Sequence, residues 1–338
     1  MVPGRAPAPA VQLAARGARL RVDAQGAEVR ARLEAAGIDC LLLKGRAFAD
    51  LLYTPEEIRT YGDSDLLVAQ HDLPGAEAIL RELGYRDLGH SAMHVAPEPL
   101  HAEHWARESD HAAIDLHWRL RGSRAPAELV FSELWRHSKQ TEAGGRSTRI
   151  LDPVATALLC SLHVAQHALG APGPRADLER AIVRLPTSTW VQAAALATRI
   201  DAHAAFTDGL RLSPAARELA DTLGLAPSAS VGRRLSTGTG PWGATALQWL
   251  LEQQPTRRRV RVAVRVLVPP PRTMRRFHAA RRGPFGLALA YLGRPARVAL
   301  KTPAALRHWR AARRAAGAAQ AAGRTPTGSI LPRDSRSG

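Results

Sequence analysis

Two aspartates, Asp63 and Asp65, stand two residues apart in the run Arg59-Thr-Tyr-Gly-Asp-Ser-Asp-Leu-Leu-Val68. At the head of an extended apolar segment, a spacing of two puts both carboxylates on one face of a strand. A third acid, Asp115, lies in Ala112-Ala-Ile-Asp-Leu-His-Trp-Arg-Leu120. There Ile114, Leu116 and Trp118 alternate onto one face, and Asp115 and His117 onto the other. If the two strands are neighbours, three carboxylates converge. Carboxylate oxygens are the hard ligands that Mg²⁺ prefers, and Mg²⁺ usually combines a few of them with substrate phosphates. Two such ions about 3.5–4 Å apart can clamp the attacking and leaving oxygens of a transfer at phosphorus. Asp63, Asp65 and Asp115 are therefore the candidate metal-binding and catalytic acids, and His117 is a candidate substrate contact.

Upstream, the apolar run Ile38-Asp-Cys-Leu-Leu-Leu43 ends in Lys44-Gly45 and a helix begins. Glycine lets backbone approach an anion closely, and a helix N-terminus offers free N–H groups. Lysine is rare here: only Lys44, Lys139 and Lys301 among 47 basic residues. The placement of Lys44 at this turn therefore points to phosphate binding more than an arginine would. Arg59 offers a planar fork for phosphate oxygens, or a partner for Glu56 or Glu57; the sequence leaves both open.

The elements that must position these groups follow from periodicity. Residues 23–36 read as a helix, 38–43 and 64–68 as buried strands, 47–53 and 72–84 as helices, and 112–120 as a half-buried strand. From Asp152-Pro153, an N-cap followed by proline at the first helical position, the chain turns helical. Helices are expected to Leu169 and over 177–185, 189–203 and 213–223. Residues 1–22 are expected as a flexible leader, 23–145 as an α/β catalytic domain, 150–310 as a helical domain and 315–338 as a disordered tail.

The quoted residues resemble a known family. Leu43-Lys44-Gly45, Tyr53, Arg59-x-x-Gly62-Asp63-x-Asp65-Leu66-Leu67-Val68 and Asp115-x-His117-Trp118 look like the uncharacterised nucleotidyltransferase family of the DNA polymerase-β-like superfamily. Leu162-His163-x-x-x-His167 followed by Arg175-x-Asp177-Leu178 is similar to the helical segment that follows the catalytic domain there, and Pro271, Phe277, Tyr291 and Pro295 to its C-terminal part. The resemblance spans roughly residues 28–305. It implies an α+β fold: a mixed sheet with flanking helices, followed by a mostly helical C-terminal domain. It also implies that Asp63, Asp65 and Asp115 bind metal. Lys44-Gly45 stands where the wider superfamily carries Gly-Ser or Gly-Gly.

On this reading a nucleoside triphosphate binds with two Mg²⁺ ions on the acids, while Lys44, Gly45 and Arg59 hold its phosphates. An acceptor hydroxyl, losing its proton to Asp115, attacks the α-phosphorus and pyrophosphate leaves. The acceptor, whether small molecule, peptide or RNA, is not legible. Two other readings use the same residues: a phosphotransferase, and a non-catalytic nucleic-acid-binding protein on a degenerate transferase fold.

The remaining signals exclude more than they assign. His101-x-x-His104 and His163-x-x-x-His167 have ligand-like spacing, but no cysteine or suitably placed glutamate completes a zinc site, so they are expected as structural residues. The chain has 338 residues and no stretch of about 18 apolar residues without charge, which excludes a membrane-spanning helix. The N-terminus lacks a signal-peptide core, and the two cysteines, Cys40 and Cys160, fit a reducing cytoplasm and exclude a disulfide scaffold. Of the net charge of +17, residues 251–338 carry +18: 20 basic residues against Glu252 and Asp334. Clusters such as Arg257-Arg258-Arg259, Arg275-Arg276 and Arg281-Arg282 fit a solvated surface or steering of a polyphosphate. Binding of nucleic acid or an acidic membrane is the alternative, and with aromatics at 5% of the chain, stacking platforms are scarce.

Overall fold

A computed structural model of the chain describes residues 9–54, 56–88, 101–167, 172–226, 231–236, 241–252, 271–274 and 283–322, with isolated positions between 256 and 268. The order is α1 (Pro9–Ala35), β1 (Cys40–Leu42), α2 (Arg46–Leu52), β2 (Ser64–Val68), α3 (Leu73–Glu82), β3 (Arg86–Asp87), β4 (Ala102–Arg107), β5 (Ala112–His117), α4 (Ala127–Arg136), β6 (Ser138–Ala143) and β7 (Arg146–Leu151). Helices follow: α5 (Pro153–His167), α6 (Pro172–Arg184), α7 (Thr187–Arg199), α8 (His203–Leu212), α9 (Arg217–Thr222), α10 (Val231–Ser236), α11 (Trp242–Glu252) and a long C-terminal helix, Gly283–Ala322. The strands form one mixed sheet in the order β3-β4-β5-β2-β1-β7-β6. β2 runs parallel to β5 and antiparallel to β1, which in turn runs parallel to β7.

Strand alternation divides the apolar residues between two cores. Leu66, Val68, Ile114 and Leu116 face Val29 and Leu33 of α1 and Leu80 of α3. Leu41, Leu43 and Leu67 face the helical layer, where Leu158, Trp190 and Phe206 are buried. Covered on both sides, β2 is buried along its whole length, and this explains why it reads as apolar apart from its first two residues. α5 is buried from Val154 to Leu162, as suits a helix that is apolar around most of its circumference. Its N-terminus is capped as expected: the Ala155 N–H donates to Asp152 Oδ1 at 2.8 Å.

The structure departs from expectation in several places. Residues 9–22, expected as part of a leader, form the first half of α1. The prolines cluster before position 10, and the stretch after them is rich in Ala, Leu and Arg, which are strong helix formers. The helix expected over 189–203 is α7, which ends at Arg199, and α8, which fills the gap before the helix expected over 213–223, is an addition to the expected elements. The break falls at Asp201, whose φ of 49° is left-handed and stops α7. β4, α4 and the β6–β7 hairpin were not foreseen. Residues 315–322 of the expected tail continue the C-terminal helix, and residues 323–338 lie outside the described residues, as do Arg258, Arg259, Arg275, Arg276, Phe277, Arg281 and Arg282. No helix among the described residues is long and apolar enough to cross a membrane.

The helical layer is held close by small residues. At Gly209 of α8, an added Cβ would collide with the Ser161 carbonyl oxygen of α5, and the Ser161 hydroxyl donates to the Phe206 carbonyl at 2.6 Å across the same contact. Gly209→Ala should therefore lower stability by about 1–3 kcal/mol, seen as a lower urea midpoint. Gly173→Ala, where an added Cβ meets nothing within 4 Å, should leave the midpoint unchanged or slightly raised.

Candidate active site

The site is built by register. β2 and β5 pair with Asp65 directly opposite Asp115 and Leu67 opposite His117. Adjacent strands about 4.8 Å apart carry in-register side chains on the same face. The antiparallel β4–β5 pair sets His104 opposite Asp115. Leu67, two residues beyond Asp65, belongs to the core under the helical layer, so the acids open toward that layer and not toward α1 and α3.

Asp65 is the buried centre. Its Oδ1 accepts from Lys44 Nζ at 2.6 Å, and His117 Nε2 lies 3.2 Å from the same atom. Burial opposes the charged carboxylate, yet Lys44 and His117 hold the Asp65 pKa well below the ordinary range. Burial also works against the Lys44 ammonium, but Asp65, then Asp63 and Asp115, outweigh it and raise its pKa. Asp115 Oδ1 meets His104 Nδ1 at 2.5 Å on the more open side. That hydrogen bond, despite partial burial, raises the His104 pKa.

One ligand atom each from Asp65, Asp115 and His117 lies within 4.8 Å of the others. Asp63 was expected as the third member of this group and is not in it. It enters through its charge: burial, then Asp65 and Asp115, push its carboxyl up to about 6, only partly offset by Lys44 and His104. A partly buried carboxyl beside two like charges would gain from added positive charge. His117 adds to this, since its Nδ1 is buried without a hydrogen-bond partner. Two carboxylates, an imidazole and a third carboxyl with a raised pKa fit a divalent cation on the chemistry of the donors.

Both cations expected on phosphate are engaged by carboxylates. Lys44 is on Asp65. Arg59 donates through Nε and Nη2 to the two oxygens of Asp177, at 2.8 Å each, and not to Glu56 or Glu57. Asp177 lies on α6, is 1% exposed and also accepts from the Tyr53 hydroxyl at 2.7 Å. The Arg59 guanidinium packs over the rings of Phe48 and Tyr61, with its Nη1 3.5 Å from the Gly45 carbonyl oxygen. Gly45 has a φ of 62°, and the Tyr61 ring would lie 3.4 Å from an added Cβ. Glycine is favoured here by the backbone angle, and an added Cβ would rest in ordinary contact with the ring. Tyr61 in turn donates to Asp23 of α1 at 2.7 Å.

The helical layer brings histidines to the same place. Burial, Lys44 and His167 lower the His163 pKa to about 2, which keeps the ring neutral. His163 and His167 meet edge to face at 4.8 Å between centroids, and the His101 ring lies 5.9 Å from that of His117. Neither pair joins a second metal cluster among the described residues. Sequence reasoning missed His104, Asp177 and Tyr61. The first was within reach: the turn at residues 108–111 between two alternating runs fixes the pairing of 104 with 115. The Asp177 contact spans 118 residues and leaves no local signal.

A family model described as uncharacterised nucleotidyltransferase matches residues 10–216, and the chain belongs to that family. Among solved structures, the antibiotic-resistance factor ANT(2″)-Ia is similar at 16% identity and a TM-score of 0.39, covering 53% of this chain and 93% of its own. No curated protein matches the sequence.

Two outcomes follow from this geometry. Since the Asp63 pKa in the fold lies above its usual 3.8, the unfolded chain gives up this proton first as pH rises, and stability falls between about pH 4 and 6. In chelator, Asp63→Asn should stabilise the protein by about 1–2 kcal/mol near pH 8, allowing for solvent screening, and the gain should vanish near pH 4. Urea unfolding at both pH values checks this; an equal difference at both would contradict it. Asp177→Ala strands the buried Arg59 charge and should cost about 3–5 kcal/mol, whereas Arg59→Met combined with Asp177→Leu should recover most of the loss.

Proposed function

We propose that the protein transfers a nucleoside monophosphate from a nucleoside triphosphate to an acceptor hydroxyl, with Mg²⁺ held by Asp65 and Asp115 and assisted by Asp63 and His117. The observation that carries this reading is the pairing of Asp65 with Asp115 on adjacent parallel strands, with His117 on the same face. Two Mg²⁺ ions bound there would supply Lewis-acid stabilisation of charge on the phosphate oxygens.

The chain's own groups do the rest. Asp65, buried and ionised against Lys44, gives a fixed negative ligand whose position is set by the sheet. Asp115, on the more open side, receives the acceptor proton at a carboxylate oxygen, and the His104 hydrogen bond orients it. Lys44 and the Gly45 turn flank the triphosphate side of the site. Arg59, bound at both ends of its fork by Asp177, acts as a positioning residue for the turn and not as the main phosphate clamp. His163, kept neutral, lines the wall without adding charge beside Lys44. Binding and orientation, with electrostatics fixed before the substrate arrives, account for most of the rate in such a design. With two free cysteines, Cys160 buried among them, we place the reaction in a reducing cytoplasm.

The experiment is incubation of the full chain with α- or γ-labelled triphosphates, Mg²⁺ and a cell extract, followed by identification of the labelled product. α-Label on the acceptor is expected; γ-label would mean phosphoryl transfer and would overturn the nucleotidyl reading. Asp65→Asn is a poor control because it leaves Lys44 buried without its partner. Asp115→Asn, at a partly exposed position, should stay folded and lower transfer roughly hundredfold or more.

A further inference from the structure

The C-terminal helix Gly283–Ala322 has two sides with different fates. Ala290, Ala305, Ala312 and Ala316 are buried, and Trp309 Nε1 donates to Gln248 Oε1 of α11 at 2.8 Å. On the opposite side Phe285, Leu289, Leu292 and Leu300 are exposed, three of them by 80% or more. Their spacings of four, three and eight residues put them on one stripe of a 3.6-residue helix. The same stripe continues through Arg307, Arg310 and Arg314, all exposed, for roughly 44 Å in all at 1.5 Å per residue. The helix contains seven basic residues and no acid, within a segment, 251–338, that carries +18.

From this we infer that the C-terminal helix docks on an anionic phospholipid surface, its apolar half entering the headgroup–acyl boundary and its arginines resting on headgroup phosphates. The inference is independent of the proposed chemistry. Exposed leucines among cations, on a helix whose other face is already packed, are the composition of an interfacial helix. They do not suit RNA, which would reward aromatic stacking, and Phe285 is the only aromatic residue on the stripe. Arg297 lies beside the apolar half, and its Nη2 donates to the Ala290 carbonyl at 2.9 Å. Its Nε donates to the Gly293 carbonyl at 3.2 Å, so the side chain lies along the helix. The anionic surface follows from charge complementarity, since each basic residue near such a surface strengthens binding roughly fivefold.

The test is flotation of the full chain with vesicles of phosphatidylcholine alone and with about one third phosphatidylglycerol. Binding to the anionic vesicles, weakened by salt and at least about tenfold weaker on neutral ones, is expected. The triple variant Phe285→Gln, Leu289→Gln, Leu292→Gln alters only exposed side chains and should keep the parent urea midpoint. It should lose at least about tenfold in vesicle affinity. Arg307→Gln, Arg310→Gln, Arg314→Gln should weaken binding to the anionic vesicles by a similar factor. Failure of the parent to float with either vesicle would overturn the inference, and so would parent-like flotation of the apolar triple variant. Capture of homopolymeric RNA in place of vesicles would mean a nucleic-acid surface instead.

Discussion

Asp65 is a carboxylate on a strand covered on both faces, and the rest of the site depends on how that charge is balanced. An ionised group in such a place costs several kcal/mol unless it is paired. Here the counter-charge comes from Lys44, delivered by the neighbouring strand: β1 and β2 pair with Leu42 opposite Leu66, and the Leu43 N–H donates to the Asp65 carbonyl at 3.0 Å. The next residue, Lys44, then needs only its own side-chain length to reach the carboxylate. The Lys-Gly turn thus has two tasks. Glycine supplies a backbone angle other residues resist, and lysine supplies the charge that keeps Asp65 ionised. The Asp63 carboxyl is raised first by burial and then by the charges of Asp65 and Asp115, which Lys44 and His104 offset only in part. A site in this condition favours added positive charge, and a triphosphate brings divalent cations with it.

The second constraint links the two layers. Arg59, on the segment leading to Asp63, is fixed by Asp177 of α6, and Tyr53 meets the same carboxylate. Glu57 of that segment receives Arg180 of α6 at 2.8 Å, and the Arg180 guanidinium stacks over Tyr53. The loop that brings the acids into line therefore has its conformation set by the helical layer as much as by the sheet. A buried charge pair contributes little net stability but penalises every arrangement in which its members are apart. Here that penalty falls on loop conformations that would displace Asp63. The helical layer thus helps to shape the candidate site, and the family match extends well into that layer, to residue 216.

Much of this was legible in the sequence, for physical reasons that can be named. Asp63-x-Asp65 at the head of an apolar run and Asp115 in an alternating one announce their faces, because a strand's period of two is strict. The Asp152 cap is equally local. What stayed hidden is relational. That His117, and not Asp63, completes the close donor group depends on how β2 and β5 are staggered. Arg59 finding Asp177 depends on where α6 lands. In the first half of α1 composition and periodicity point different ways: Pro, Ala and Arg suggest a loose leader, yet of these only Ala and Arg remain beyond position 10, and both favour helix. α7 stops at Arg199, short of the expected 203, ahead of the left-handed Asp201.

The distribution of charge gives the molecule two ends with different tasks. Residues 1–250 carry 27 basic and 28 acidic residues, and many of those charges answer one another in pairs, as at Lys44–Asp65, Arg59–Asp177, Arg107–Asp110 and Arg211–Asp221. The C-terminal segment has almost no acids with which to pair. Its arginines can draw polyanions by long-range attraction, which is screened within about 8–10 Å at physiological salt. The charges of the candidate site are local, with Lys44, His104 and His117 all set against its acids. The basic helix is free to serve a surface of its own, and the apolar stripe beside its arginines gives that surface a chemistry that charge alone would leave undefined.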